Sequence, residues 1–239
     1  TIADNTGIGT LTDNDSTPTL SIDDVTETEG TTLSFTVTLS AASGQDITFD
    51  WATSNVTATA GNDYNAGSGT GVTISAGSTT AMININTTDD ALDEDLETLN
   101  VTLSNPSGAT ISDTIGIGSI SDNDATPTLS IADVTDNEGN TFFFTVTVSA
   151  ASGRDITFDW TTSDATATGG VDYTSNSGND VTIPAGSTST ILSVLTVNEN
   201  TTESDETFNV ILSDVQNAGV SDGAAVGTLT DMGTLGGGP

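Results

Sequence analysis

The chain has 239 residues, of which 34 are Asp or Glu, one is Arg and none is Lys, His or Cys, so its net charge is −33. This surplus of carboxylates excludes nucleic acid and anionic membrane surfaces as partners, because both are bound through cationic side chains. The missing Cys and His exclude disulfides, the usual zinc and transition-metal sites, and Ser-His or Cys-His nucleophiles.

Two further function classes are not expected. Hydrolysis by a pair of carboxylates stays open in principle, but it needs a deep cleft, and the acids of this chain lie in turn-like segments. We therefore expect no enzyme. No apolar run reaches the roughly 18–20 residues of a transmembrane helix, so we expect no direct insertion into a membrane.

A long internal repeat organises the chain. Residues 1–124 recur at residues 110–233 with a constant offset of 109 and no gap. Glu29-Gly30 returns as Glu138-Gly139, and Phe49-Asp50-Trp51 returns as Phe158-Asp159-Trp160. A unit of this length that repeats in frame is a folded module in series, whereas the turns of a solenoid repeat every 20–50 residues or so.

The hydrophobic pattern of each repeat has period two. Leu33, Phe35, Val37 and Leu39 alternate with Ser and Thr, as in a strand with one buried face. In chain order, the strands of the first repeat are predicted at about 19–25, 33–39, 47–51, 71–75, 80–87, 99–103 and 114–121, with equivalents 109 residues later. Seven short strands separated by turn signals predict an all-β fold of two tandem immunoglobulin-like Greek-key β-sandwiches.

The repeat also predicts the domain boundaries. Residues 1–16 correspond to the end of a repeat, so we expect a lone terminal strand of a preceding module, or a donated strand. The first module is predicted at residues 17–124, the second at 125–233, and a Gly-rich tail at 234–239.

Acidic residues concentrate in four segments of the first repeat. These are Glu29-Gly30, the Gly61-Asn62-Asp63-Tyr64 turn, the loop from Asp89 to Glu97, and Asp122-Asn123-Asp124. Because successive connections of an antiparallel sandwich alternate between its two ends, several of these segments can meet at one end. Carboxylate and carbonyl oxygens are the ligands that Ca²⁺ prefers. Solvated turn acids are the alternative, since Asp and Asn favour turns by themselves.

These residues resemble the Calx-beta domain of sodium/calcium exchangers and of many bacterial surface proteins. The resemblance covers both repeats. It is carried by Thr28-Glu29-Gly30, the stretch from Trp51 to Asp63-Tyr64, the acidic loop from Asp89 to Glu97, and the terminal Asp122-Asn123-Asp124.

The resemblance implies calcium at one end of each module. Carried over by position, the ligands of the first module are Glu29, Asp63, Asp89, Asp90, Glu94, Glu97, Asp122 and Asp124. In the second module the carried-over ligands are Glu138, Asp172, Glu199, Glu203, Glu206 and Asp231. The second module departs from the pattern, because Asn198 replaces Asp89 and Asp231-Met232-Gly233 replaces the terminal acidic run. We therefore expect it to bind calcium more weakly or to hold fewer ions. Asp93 and Asp95 have less clear equivalents in the family and are interpreted as solvated.

Two functions from different classes follow. The first is a non-enzymatic extracellular structural or adhesive protein of calcium-stiffened repeats, the repeating unit of a cell-surface filament or layer. It would contact neighbouring repeats or like subunits head to tail. The alternative is a calcium-sensing regulatory module of a larger membrane transporter or receptor, as the resemblance to exchangers permits.

Overall fold

A computed structural model describes residues 6–12, 14–198 and 202–231 of the chain. The secondary structure in these ranges consists of β-strands and turns. They contain no helix long and apolar enough to cross a membrane.

The strands of the first repeat follow in chain order. They are β1 (Thr19–Ile22), β2 (Val25–Thr28), β3 (Thr32–Leu39), β4 (Ile47–Asn55), β5 (Ser68–Ile74), β6 (Thr80–Asn86), β7 (Glu97–Ser107), β8 (Thr110–Ile111) and β9 (Ile115–Ser121). The second repeat has the equivalent strands. They are β10 (Thr128–Ile131), β11 (Val134–Asn137), β12 (Thr141–Val148), β13 (Ile156–Asp164), β14 (Ser177–Ile183), β15 (Ser189–Leu195), β16 (Glu206–Gln216), β17 (Gly219–Asp222) and β18 (Ala224–Thr230).

The chain divides into two compact units. The first unit comprises Thr1–Asp89 and Leu96–Ser121, and the second comprises Asp90–Asp95 and Asp122–Pro239. The acidic segment Asp90–Asp95 thus belongs to the second unit, although its sequence position is inside the first repeat.

Each unit contains two sheets with the same topology. In the first unit, a four-stranded sheet has the order β6-β3-β1-β8 and a five-stranded sheet the order β2-β9-β7-β4-β5. The second unit repeats this arrangement as β15-β12-β10-β17 and β11-β18-β16-β13-β14. Most neighbours are antiparallel, but four pairs are parallel: β1 with β8, β2 with β9, β10 with β17, and β11 with β18. The prediction of an all-β fold with tandem β-sandwiches is confirmed.

The core of each unit lies between its two sheets. The alternating side chains of β3 (Leu33, Phe35, Val37 and Leu39) are all buried against residues of the opposite sheet such as Leu99. In the second unit an aromatic group takes the same place. The Phe208 ring stacks on Tyr173 with a centroid distance of 4.4 Å and lies 5.8 Å from both Phe142 and Phe144.

The predicted strand at 19–25 is two strands that belong to different sheets. The chain crosses over at Asp23-Asp24. Asp23 Oδ1 accepts a hydrogen bond from the N–H of Thr36 at 2.6 Å, and Asp24 Oδ1 accepts one from the N–H of Ile117 at 2.7 Å. The two carboxylates therefore hold the crossing between the sheets.

The lone strand expected within residues 1–16 is not formed in the described part of that segment. Residues 6–12 and 14–16 have no strand assignment, and the side chains of Ile8 and Leu11 are fully exposed. A strand needs a hydrogen-bonding neighbour, and none of the described strands pairs with this segment. The predicted tail at 234–239 lies outside the described residues.

Candidate metal centre

Asp172 of the second unit lies in a tight turn between β13 and β14. Its Oδ2 accepts a hydrogen bond from the N–H of Thr168 at 2.7 Å, and its carbonyl accepts one from the N–H of Val197 at 2.8 Å. The next residue, Tyr173, is buried in the core and anchors the turn. The backbone thus fixes the Asp172 carboxylate at one end of the sandwich.

The anchor of this turn is a tyrosine–carboxylate pair. The hydroxyl of Tyr173 donates a hydrogen bond to Asp164 Oδ1 at 2.6 Å. Burial, and then this bond, raise the pKa of Tyr173 to about 12, and the same bond lowers the pKa of Asp164 below its ordinary value. In the first unit Asn55 accepts the equivalent bond from Tyr64 at 2.6 Å. The turn therefore needs an oxygen acceptor at this position and does not need a charge.

Three other segments of the second unit bring carboxylates to the same end. Glu206 is the first residue of β16, Glu138 follows β11 and is buried, and Asp231 follows β18. Asp231 Oδ2 accepts a hydrogen bond from the N–H of Glu203 at 3.1 Å, which holds the loop before β16 against the end of β18. The N–H of Glu138 donates to the carbonyl of Thr230 at 3.2 Å. The topology thus gathers acids that are up to 93 residues apart in the sequence (Glu138 and Asp231).

A small cavity lies between these side chains. Its volume is about 10 Å³, which is the space of roughly one water molecule or one small ion. One oxygen from each of Asp172, Glu203 and Glu206 lies within 4.8 Å of the other two. The lining residues are Glu138, Asp172, Glu203, Ser204, Glu206, Leu229 and Asp231. This end of the second unit, from here on called the acidic cavity, is thus lined by five carboxylates.

The acidic cavity fits a hard divalent cation. Ca²⁺ takes 6–8 oxygen ligands at about 2.3–2.6 Å, so two ligands of one ion lie at most about 5 Å apart. The spacing of the three carboxylate oxygens is within this limit. The donor set contains oxygen only, which suits Ca²⁺ or Mg²⁺ and not the softer transition metals. The residues present therefore fit the ion that the sequence predicted.

The predicted ligands of the first repeat divide between the two units. Glu29, Asp63 and Glu97 belong to the first unit, and Glu94, Asp122 and Asp124 belong to the second. Glu29 is buried and follows β2, as Glu138 follows β11. Asp63 occupies the same turn as Asp172, with its Oδ2 accepting from the N–H of Thr59 at 2.6 Å.

Two predicted ligands of the first repeat, Asp89 and Asp90, have other local contacts. Asp89 packs against Gly30. A Cβ added at Gly30 would lie 2.8 Å from the Asp89 Cβ, so only glycine allows this close approach. Gly30 also has a φ of +73°, which favours glycine. Asp90 Oδ1 accepts a hydrogen bond from the N–H of Leu92 at 2.8 Å and caps its own loop. Glu199 lies outside the described residues.

The interpretation of Asp93 as a solvated acid is wrong. Its side chain is buried and forms an ion pair with Arg154, which also contacts Asp95 at 3.1 Å. These contacts are the principal cause that raises the pKa of Arg154. The signal that could have found this pair is composition, because a single cation among 34 acids is a natural partner for a buried carboxylate.

The chain is similar to a family of known domains. The sequence profile of the Calx-beta domain matches residues 13–128 and again residues 122–231. No curated protein matches the whole sequence significantly.

Two solved structures match the chain at low identity. The CBD12 structure from CALX1.2 is 15% identical, with 88% of this chain and 99% of that chain covered and a TM-score of 0.43. The calcium binding domain CBD12 of CALX1.1 is 19% identical, with coverages of 82% and 79% and a TM-score of 0.43.

Proposed function

Because the chain belongs to the Calx-beta family, with two copies of the domain in tandem, we propose that it is a calcium-binding module that senses calcium for a larger protein. The observation that carries this proposal is the acidic cavity of the second unit, where five carboxylates surround a space of about 10 Å³. A cavity of this size admits an ion and excludes an organic substrate, so the proposal includes no catalysis. It supports the regulatory alternative better than the filament hypothesis, because a cation site by itself explains a response to calcium and does not explain assembly.

The residues that would hold the ion come from separate segments. Asp172 is fixed by the turn after β13, and Glu206 by the start of β16. Glu203 lies on the loop before β16, and Asp231 directly follows β18. The ion would supply positive charge among carboxylates that otherwise repel one another. Since it binds the folded arrangement and not the unfolded chain, calcium would stabilise this end of the second unit.

The acidic segments of the first repeat extend the proposal to further ions. The first repeat carries the same kinds of acidic segment as the second, including the Glu29 and Asp63 positions that correspond to Glu138 and Asp172. We expect the first repeat to bind calcium more tightly than the second. Its sequence retains the terminal Asp122-Asn123-Asp124 run that the second repeat lacks.

Calorimetric titration of the full chain with Ca²⁺ and with Mg²⁺ tests the proposal. The double variant Asp172→Asn, Glu206→Gln should lose one class of calcium sites while the sites of the first repeat remain. Glu27→Gln is the matched control, because Glu27 is an exposed acid outside the acidic cavity. Equal heats for Mg²⁺ and Ca²⁺, or no loss of sites in the double variant, would contradict the calcium-sensing proposal.

An extracellular structural or adhesive function is the second candidate. Its support is the gapless repeat of 109 residues, which is typical of proteins that extend by adding modules. Extracellular modules work at millimolar calcium, so this candidate carries with it a location outside the cell. Calcium-dependent filaments in electron micrographs of the purified chain would favour it, and dispersed particles at every calcium concentration would count against it.

A further inference from the structure

A second cavity lies in the first unit. It has a volume of about 340 Å³, and Thr17, Ser43, Gly44 and Gln45 are among its lining residues. Asp15 is the sole acid of its lining, so the cavity differs chemically from the acidic cavity. We call it the acceptor cavity.

The second unit shows what such a cavity holds. At an offset of 109 residues, its equivalents are Thr126, Ser152, Gly153 and Arg154, and all four contact Asp93. The Asp93 carbonyl accepts hydrogen bonds from Ser152 Oγ at 3.0 Å and from the N–H of Gly153 at 3.1 Å. Thr126 Oγ1 donates to the Asp93 carboxylate at 3.2 Å. In the second unit this place is therefore filled by the segment Asp90–Asp95.

The acceptor cavity already has the geometry of its filled counterpart. In the second unit the N–H of Arg154 donates to Ser152 Oγ at 3.0 Å, and in the first unit the N–H of Gln45 donates to Ser43 Oγ at 3.0 Å. Ser152 is 1% exposed under the segment that covers it, whereas Ser43 is partly exposed. The same turn is thus formed in both units, and only one of the two is covered.

We propose that the acceptor cavity binds the loop at residues 202–204 of a second copy of this chain, in a head-to-tail contact. This loop is the repeat equivalent of residues 93–95. The chemistry of the two partners matches: the acceptor has Gln45 where the second unit has Arg154, and the loop has Thr202 where the first loop has Asp93. A carboxylate buried against Gln45 would lack the guanidinium that compensates Asp93. The neutral Thr202 therefore suits the neutral Gln45.

The backbone of the loop supplies the remaining contacts. Two of the bonds to Asp93 reach its carbonyl, which Thr202 also offers. Each chain carries a net charge of −33, so two copies repel one another at low ionic strength. Screening at about 0.15 M salt or above shortens the range of this repulsion to about 8 Å or less. The contact should therefore be weak and should strengthen as salt is added.

Cysteine cross-linking detects a weak contact of this kind. The chain has no Cys, so every disulfide that forms must join the introduced cysteines. We would mix differently tagged Thr17→Cys and Thr202→Cys chains at high salt under mild oxidation, because the equivalent side chains of Thr126 and Asp93 are in contact. The expected product is the mixed disulfide, in yields well above those from a Thr70→Cys chain mixed with the same partner.

A blocking variant makes the test specific. A Cβ added at Gly44 meets no atom within 4 Å, so Gly44→Trp leaves the first unit folded, which the melting temperature checks. A Cβ added at the equivalent Gly153 would overlap Glu94 of the segment that covers it. A Trp side chain at position 44 should therefore exclude the incoming loop. Thr70→Trp adds the same ring to another exposed position of the first unit.

The possible outcomes either support or overturn the proposed contact. Loss of the mixed disulfide in the Gly44→Trp background and its retention in the Thr70→Trp background support the proposal. Equal yields in the two backgrounds, a yield at the level of the Thr70→Cys control, or a preference for disulfides between two Thr17→Cys chains would overturn it. None of these readouts requires bound calcium, so this contact can fail while the calcium proposal stands.

Discussion

The substitution Glu206→Gln should stabilise the folded protein in chelator and make it less stable than the parent in calcium. Oxygens of Asp172, Glu203 and Glu206 lie within 4.8 Å of one another. Two unit charges at this distance repel by about 0.9 kcal/mol in a water-like dielectric and by about 3.5 kcal/mol at an effective dielectric of about 20. Removing the Glu206 charge eliminates two of these three pairs. With the water-like value, which suits the exposed Glu203, the variant gains about 2 kcal/mol in chelator.

In calcium the difference in unfolding free energy between the variant and the parent changes sign. A saturating ligand at about 100 times its Kd stabilises the folded state by about 2.7 kcal/mol, and a variant that has lost a charged ligand receives less of this gain. We would measure the free energy of unfolding of both proteins in urea, at fixed ionic strength, in chelator and in millimolar Ca²⁺. Glu27→Gln makes the same chemical change outside the acidic cavity and should shift stability little in either condition.

Two results would refute this reasoning. If Glu206→Gln is less stable than the parent in chelator, the three carboxylates do not repel one another as their spacing requires. If both proteins gain equally from calcium, Glu206 does not contribute to a calcium site. An unchanged urea dependence of the unfolding free energy is needed for either comparison to hold.

Three further predictions concern the second unit. Because the pKa of Tyr173 is raised from 10.0 to about 12, stability should fall as the pH rises through this window, and Asp164→Asn should move the phenol titration, followed by absorbance, to lower pH. Arg154→Gln should cost about 1–3 kcal/mol of unfolding free energy by leaving the buried Asp93 carboxylate uncompensated, and Asp93→Thr in the same chain should recover most of the loss. Phe208→Ala should cost about 3–5 kcal/mol, because it removes the ring at the centre of the aromatic core.

Each of these has its own control. A Tyr64→Phe background leaves Tyr173 as the sole tyrosine, so the absorbance change has one source. A double-mutant cycle for Arg154 and Asp93 that shows no coupling would contradict the ion pair. For Phe208, a loss below that of Leu99→Ala, its counterpart in the first unit, would show that the aromatic group adds nothing to the core.

The sequence predicted the regular parts of the fold because their signal is local. The alternation of Leu33 to Leu39 defines β3 completely, since one face of that strand is buried. The short strands β2 and β11 gave no such signal, because their stability depends on parallel pairing with strands about 93 residues away. The break between β1 and β2 was hidden for the same reason, as it is held by hydrogen bonds from distant backbone to Asp23 and Asp24.

For the candidate site, the sequence identified the acids but not their grouping. Asp90 and Glu206 have the same chemistry, yet only the fold shows that Asp90 caps its own loop while Glu206 joins Asp172 and Glu203. The burial of Asp93 could not be read from its neighbours, because the partner that compensates it is 61 residues away.

The parallel pairing of β2 with β9 gives the first unit a mechanical property. Four residues of β2, from Val25 to Thr28, lie in register with Gly118 to Ser121 at the other end of the unit's chain. A force that pulls the two ends of the unit apart acts along these strands and loads their hydrogen bonds together, in shear. An antiparallel hairpin pulled at its ends would open one bond at a time. Since forced unfolding is governed by the unfolding rate, this pairing makes each unit resist tension longer than its equilibrium stability alone would indicate.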